Sequence, residues 1–141
     1  MSKSTGELFT ELKRDKNLTD WRERNREEFV LPLNDYLAKL LEEKNLSKSE
    51  VIERAGLNRE YAYHIFAGAK KNPSRQKLLA LAIAMDLTLE EIQYLLRYAG
   101  LGILYPRNQW DAVIISAVEQ KLNVLETNEL LHRLGETILL E

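Results

Sequence analysis

The chain has 141 residues, a formal net charge of −2, and 45% hydrophobic and 30% charged side chains, which is typical of a folded domain and not of a disordered chain. The absence of cysteine excludes disulfides, thiolate zinc sites and cysteine nucleophiles. No segment has 18 consecutive apolar residues and the N-terminus lacks a signal-peptide core, so we expect a cytoplasmic protein that does not span a membrane. Helical periodicity runs through almost the whole sequence, which predicts an all-α fold.

Residues 1–31 are predicted to form a charged helical arm. Ser4 begins a capping-box pattern, which predicts a first helix with its leucines on one face. A break near Asn17 separates it from a second predicted helix over residues 20–29, where Trp21 is the main apolar anchor. Because this region carries many charges, we expect a solvated arm.

Residues 32–99 contain the clearest motif of the chain. Pro32 marks the entry to a helix with leucines at i, i+4 and i+7 spacing. The stretch from Ser47 to Pro73 then predicts two short helices, N-capped by Ser47 and Asn58 and joined by a turn at Gly56. The second of them is predicted over residues 59–67. This is the layout of a helix-turn-helix, whose second helix can enter the major groove of DNA.

Further helices are predicted after this motif. Ser74 and Thr88 are the expected N-caps of two helices, the second ending near residue 99. Residues 100–141 are predicted to be a helical extension with one helix over residues 107–122 and a last one beginning at Thr127. Two interpretations of this extension stay open, because its apolar face can complete the core or form a dimer interface.

The charge distribution favours the same region as the functional surface. Residues 47–78 carry seven basic and three acidic side chains, a net charge of +4, whereas the whole chain is at −2. A basic segment within an acidic chain is the electrostatic pattern of a nucleic-acid-binding surface.

The motif resembles the Cro/Xre family of bacterial and phage repressors over roughly residues 33–96. The residues that carry the resemblance are Leu46-Ser47-Lys48-Ser49-Glu50, Ala55-Gly56-Leu57-Asn58, Ile65, Gly68, Lys70-Lys71-Asn72-Pro73-Ser74, and Leu78-Leu79 through Leu87-Thr88. The resemblance implies a phage-repressor-like domain of five helices, with extra helices at both ends of the chain. It also implies a transcriptional regulator, such as a repressor, that binds DNA.

Three positions depart from the family pattern. The family usually has a small residue where Ile52 stands and a β-branched residue where Ala62 stands, and we interpret the two changes as one compensated exchange of volume. Lys48 replaces a glutamine that is frequent in the family. Lysine keeps a phosphate contact but loses the two-pronged geometry of the amide.

Arg59, Glu60 and Tyr63 are the residues predicted to contact bases. Arginine can donate to O6 and N7 of guanine, and glutamate can accept from the amino group of cytosine. The residues predicted to contact the DNA backbone are Lys48, Asn58, Lys70, Lys71 and Asn72.

We therefore expect a sequence-specific regulator that binds double-stranded DNA as a homodimer. The alternative is a non-catalytic module that uses the same scaffold to bind a partner protein, which the tyrosine-rich helix and the acidic flanks favour. No phosphate loop, catalytic triad or metal-ligand spacing occurs in the sequence, so we expect no enzyme activity, no metal and no cofactor.

Overall fold

The structure, a computed structural model, describes residues 3–29, 31–70 and 72–140. These residues form nine α-helices and one 3₁₀ turn and contain no strand, which confirms the all-α prediction. None of the described helices combines the length and the apolar character needed to cross a membrane. The chain divides into two compact units, residues 1–31 and 32–141.

The first unit contains helices α1 (Thr5–Arg14) and α2 (Leu18–Arg24), followed by the 3₁₀ turn Arg26–Glu28. The prediction of a second helix over residues 20–29 was wrong at both ends. The helix begins earlier because the side chain of Asn17 caps it and accepts from the N–H of Asp20. It ends at Arg24, and the chain then tightens into the 3₁₀ turn.

Trp21 is the buried hydrophobic side chain of this unit, at 4% exposed. Its indole N–H donates to Glu11 at 3.1 Å, and the ring meets Phe29 edge-on at 5.8 Å. Lys3 donates to Glu11 at 3.0 Å and to Asn25 at 2.6 Å. The hydrogen bond from Lys3 lowers the pKa of Glu11 against the opposing effect of burial. The arm is therefore more than a solvated helix, because it encloses a tryptophan.

The second unit begins with the five helices expected from the resemblance. They are α3 (Leu33–Glu43), α4 (Lys48–Ala55), α5 (Arg59–Ala67), α6 (Arg75–Ala84) and α7 (Leu89–Tyr98). The predicted N-caps of α4 to α7 are confirmed, because each side chain accepts from the N–H three residues later. These N-caps are Ser47, Asn58, Ser74 and Thr88.

The C-terminal extension forms helices α8 (Gln109–Glu119) and α9 (Val124–Arg133). The predicted start of the last helix at Thr127 was wrong by one turn. Asn123 caps α9 and Glu126 reaches back to the N–H of Asn123, so a complete capping box fixes the earlier start. Thr127 is instead fully buried, and its hydroxyl donates to the carbonyl of Asn123.

Helix α6 lies at the centre of the second unit, with every residue from Leu78 to Ala84 buried. It packs against α4, α7 and α9. The C-terminal extension shares this core, to which it contributes Ile114, Val124, Leu131 and Leu139. The helix-turn-helix region and the extension therefore share one hydrophobic core.

Candidate nucleic-acid interface

Helices α4 and α5 are joined by a turn whose geometry the sequence determines locally. Gly56 takes the left-handed conformation with φ of 72°, which an L side chain rarely adopts. Leu57 follows it and is 8% exposed, so it anchors the turn in the core. Asn58 then accepts from the N–H of Tyr61 at 3.0 Å and starts α5.

Helix α5 has one buried and one exposed face. Ala62, Ile65 and Phe66 are buried. The opposite side exposes Arg59, Glu60, Tyr63, His64 and Ala67. The three predicted base-contacting residues, Arg59, Glu60 and Tyr63, thus lie on the exposed side of this helix.

The predicted backbone-contacting residues differ in their surroundings. Lys48 is exposed and its ammonium lies 5.5 Å from the ring centre of Phe66, which brings the first residue of α4 close to α5. The side-chain oxygen of Asn58 accepts the capping hydrogen bond, which leaves its amide N–H groups as donors for a phosphate. Lys70 and Asn72 are exposed in the loop after α5, and Lys71 lies outside the described residues.

The loop from Gly68 to Ser74 is attached to α5 at both ends. Gly68 has φ of 81°, and the next two N–H groups, of Ala69 and Lys70, donate to the carbonyl of His64 at 2.9 and 3.1 Å. At the other end, the N–H of Ser74 donates to the hydroxyl of Tyr61 at 2.9 Å. Both ends of the basic loop, residues 68–70 and Ser74, are thus held beside the helix that carries Arg59 and Glu60.

Sequence reasoning missed a group of four hydrogen bonds that the guanidinium of Arg75 donates. Arg75, the first residue of α6, donates to both carboxylate oxygens of Asp111 at 2.9 and 3.0 Å. It also donates to the carbonyls of Gly102 and Ile103 at 2.9 and 3.1 Å. Only its position beside the predicted cap Ser74 could have drawn attention to Arg75, because its partner lies 36 residues away.

Asp111 is 5% exposed, so its ionisation depends on these partners. Burial alone would raise the pKa of Asp111, but the hydrogen bonds from Arg75 and from the N–H of Tyr105 outweigh that effect and lower it. Since Asp111 neutralises Arg75, one of the seven basic side chains in residues 47–78 is not available to an external anion.

Two short helices joined by a left-handed glycine turn, the second of them with one exposed face, define a helix-turn-helix domain. Residues 37–92, about two fifths of the chain, match the protein-family model described as Helix-turn-helix. The resemblance is thereby confirmed: this segment is a helix-turn-helix domain of the Cro/Xre type, which is a DNA-binding domain of transcription regulation. Neither a curated protein nor a solved structure matches the chain significantly.

Proposed function

We propose that the protein is a sequence-specific transcriptional regulator that binds duplex DNA with helix α5 in the major groove. The observation that carries the proposal is the exposed side of α5, where Arg59, Glu60 and Tyr63 are free of the core. Arg59 donates to a guanine, Glu60 accepts from a cytosine, and Tyr63 contacts a thymine methyl or a phosphate. The protein acts by occupying its site in the cytoplasm, without catalysis.

The backbone contacts in this proposal surround the base-reading residues. Lys48 and Asn58 contact phosphates from the N-terminal ends of α4 and α5, and Lys70, Lys71 and Asn72 contact them from the following loop. These contacts fix the orientation of the domain and carry no sequence information. They release counterions, so the affinity falls steeply as the salt concentration rises.

The proposal includes a homodimer, since two half-sites about 34 Å apart require two recognition helices. A second copy is expected to pack on helices α8 and α9, where Val113 and Val118 are only half-buried and Leu134 is 55% exposed. Sedimentation equilibrium with and without DNA tests this part of the proposal. A single protomer on a palindromic duplex at saturation would contradict it.

The alternative function is binding of a partner protein through the same side of α5. Tyr63, whose exposed fraction is 37%, shares this side of α5 with the oppositely charged Arg59 and Glu60. This composition favours the alternative, because tyrosine and arginine are enriched in protein interfaces. In this case the domain would show weak affinity for DNA and no preferred sequence.

Selection from a randomised duplex pool, followed by fluorescence anisotropy at about 50 and 200 mM salt, separates the two functions. Enrichment of a palindromic site with a steep salt dependence supports the regulator. Binding without enrichment of any sequence at both salt concentrations contradicts it. Affinity capture of a partner on immobilised wild-type protein would then test the alternative, with the Tyr63→Ala protein as the control.

A further inference from the structure

Tyr61 joins three groups that flank the basic loop. Its hydroxyl accepts from the N–H of Ser74 at 2.9 Å. The ammonium groups of Lys70 and Lys77 lie 5.4 and 4.4 Å from its ring centre. One half-buried tyrosine of α5 therefore contacts the loop after α5, the N-cap of α6 and the first turn of α6.

These contacts hold two positive charges beside one aromatic ring. A lysine ammonium within about 6 Å of an aromatic ring is attracted by the electrons of the ring face. Because the ammonium groups of Lys70 and Lys77 lie 5.4 and 4.4 Å from the same ring centre, they are at most 9.8 Å apart. The ring limits their rotamers without neutralising them.

Two other lysines of the second unit are paired with carboxylates. Lys44 contacts Glu91 at 3.0 Å, and Lys39 contacts Glu43 at 3.9 Å. Within residues 31–70 and 72–140, no carboxylate oxygen lies within 4.0 Å of the ammonium of Lys70 or Lys77. Both charges are therefore available to an external anion.

We propose that Lys70 and Lys77 form a joint contact with the DNA phosphate backbone, and that Tyr61 is the residue that positions it. This inference rests on the proposed function and extends it to Lys77, which belongs to α6 and not to the helix-turn-helix. A compact, hydrated ammonium suits a phosphate better than a base edge. The contact is therefore independent of sequence and strengthens binding to every duplex alike.

The first test measures the salt dependence of DNA affinity for Lys77→Ala and for Lys77→Gln, whose side chain is neutral but longer than that of alanine. Losing one phosphate contact lowers the salt slope by about 0.9, so the affinity lost between about 50 and 200 mM salt becomes about three- to fourfold smaller. Lys39→Ala, which removes an exposed lysine already paired with Glu43, is the matched control and is expected to leave the slope unchanged. Sequence preference is expected to stay the same in all three variants.

The second test examines Tyr61. Tyr61→Phe keeps the ring but loses the acceptor for Ser74, whereas Tyr61→Leu also removes the cation–π contacts. If the ring positions Lys77, the effect of Lys77→Ala is several-fold smaller in the Tyr61→Leu background than in the wild type. A purely structural role of Tyr61 would leave the effect of Lys77→Ala equal in both backgrounds.

The outcomes separate the inference from the function on which it rests. A wild-type protein that binds duplex DNA, with unchanged salt slopes for both Lys77 variants, overturns the inference and leaves the proposed function standing. A wild-type protein that binds no duplex at about 50 mM salt overturns both. Thermal unfolding by circular dichroism verifies that each variant is folded, and Lys77→Gln at an exposed position keeps the test valid if Tyr61→Leu does not fold.

Discussion

Arg59 is the first residue of α5 and is exposed. In the proposed docking, this end of α5 meets the base edges. We predict that Arg59→Ala weakens binding to the selected site by about 1–3 kcal/mol and relaxes the preference at one base pair. Anisotropy titrations on the site and on single-base variants measure both effects. Arg54→Ala removes an exposed arginine near the C-terminal end of α4 and is expected to change neither the affinity nor the sequence preference. An unchanged sequence preference of Arg59→Ala would show that the proposed docking is wrong.

Asp111 gives a prediction about stability and pH. The pKa of Asp111 is lowered in the folded protein. Its ion pair with Arg75 therefore stabilises the fold at pH values above 3.8, the ordinary pKa of aspartate, and this stabilisation is lost as the pH falls through and below that value. We expect Asp111→Asn to lower the free energy of unfolding by about 3 kcal/mol at pH 7, at the low end for a buried pair because Arg75 is partly exposed.

Urea unfolding between pH 7 and pH 3 measures this effect. The difference between wild type and Asp111→Asn is expected to stay constant down to about pH 5 and to shrink below about pH 4. Glu43→Gln breaks the exposed pair with Lys39 and is expected to cost about 0.3–0.5 kcal/mol. A difference for Asp111→Asn that does not shrink at low pH would mean that the ion pair is not its source.

At the scale of the element, the end of α5 depends on Gly68. Its φ of 81° is strained for other residues, and an added Cβ would lie 2.9 Å from the side-chain carbonyl carbon of Asn34 on α3. Gly100 has a similar φ of 71° with no atom within 4 Å of the same position. We therefore predict that Gly68→Ala destabilises the fold by more than Gly100→Ala, which costs about 1–2 kcal/mol for the conformation alone.

Thermal or urea unfolding of the two alanine variants measures the contribution of the contact with Asn34. Asn34→Ala combined with Gly68→Ala is expected to recover the excess cost and leave only the conformational part. Equal destabilisation by Gly68→Ala and Gly100→Ala would show that Asn34 moves away freely.

The helices of the second unit could be predicted from the sequence to the extent that their ends depend on neighbouring residues. A Ser, Thr or Asn that accepts from an N–H three residues later is a local signal, and it identified the starts of α4, α5 and α6. The same signal at Asn123 was overlooked because Thr127 also resembles a cap. In the structure the hydroxyl of Thr127 bonds back to the carbonyl of Asn123, four residues earlier in the chain.

The exposed side of α5 was predictable in the same sense. The exposed side of α5 follows from helical periodicity, so Arg59, Glu60 and Tyr63 could be chosen from the sequence alone. The contacts of Tyr61 with Ser74 and of Arg75 with Asp111 could not, because residues 13 and 36 positions apart meet only after the helices pack. Sequence spacing carries no information about such pairs when a single sequence is read.

At the scale of the second unit, the DNA-binding region and the C-terminal extension depend on one another. Arg75 connects the start of α6 to α8, and the indole N–H of Trp110 donates to the carbonyl of Thr137 at 2.7 Å. Leu139 reaches the core at 3% exposed, and a side-chain carbon of Leu140 lies 3.6 Å from the position of a Cβ added to Gly56. Residues 137–140, the tail, therefore pack beside the turn between α4 and α5.

This arrangement predicts that a change in the tail destabilises the helix-turn-helix. Leu139→Ala is expected to lower the free energy of unfolding by about 2–5 kcal/mol, as for other leucines truncated in a core. Leu125→Ala removes the same atoms at a position of α9 that is 67% exposed, and we expect a change within about 0.5 kcal/mol.

Hydrogen exchange at the backbone amides of α4 shows whether the loss reaches the DNA-binding region. If the tail and α4 unfold together, Leu139→Ala raises the exchange rate at Val51, Ile52 and Ala55 in proportion to the lost stability, and Leu125→Ala leaves it unchanged. Faster exchange confined to the tail would instead mean that α4 and α5 keep their stability without it. The shared core favours the first result, because Val51 and Ile52 belong to the same cluster of buried residues as Leu139.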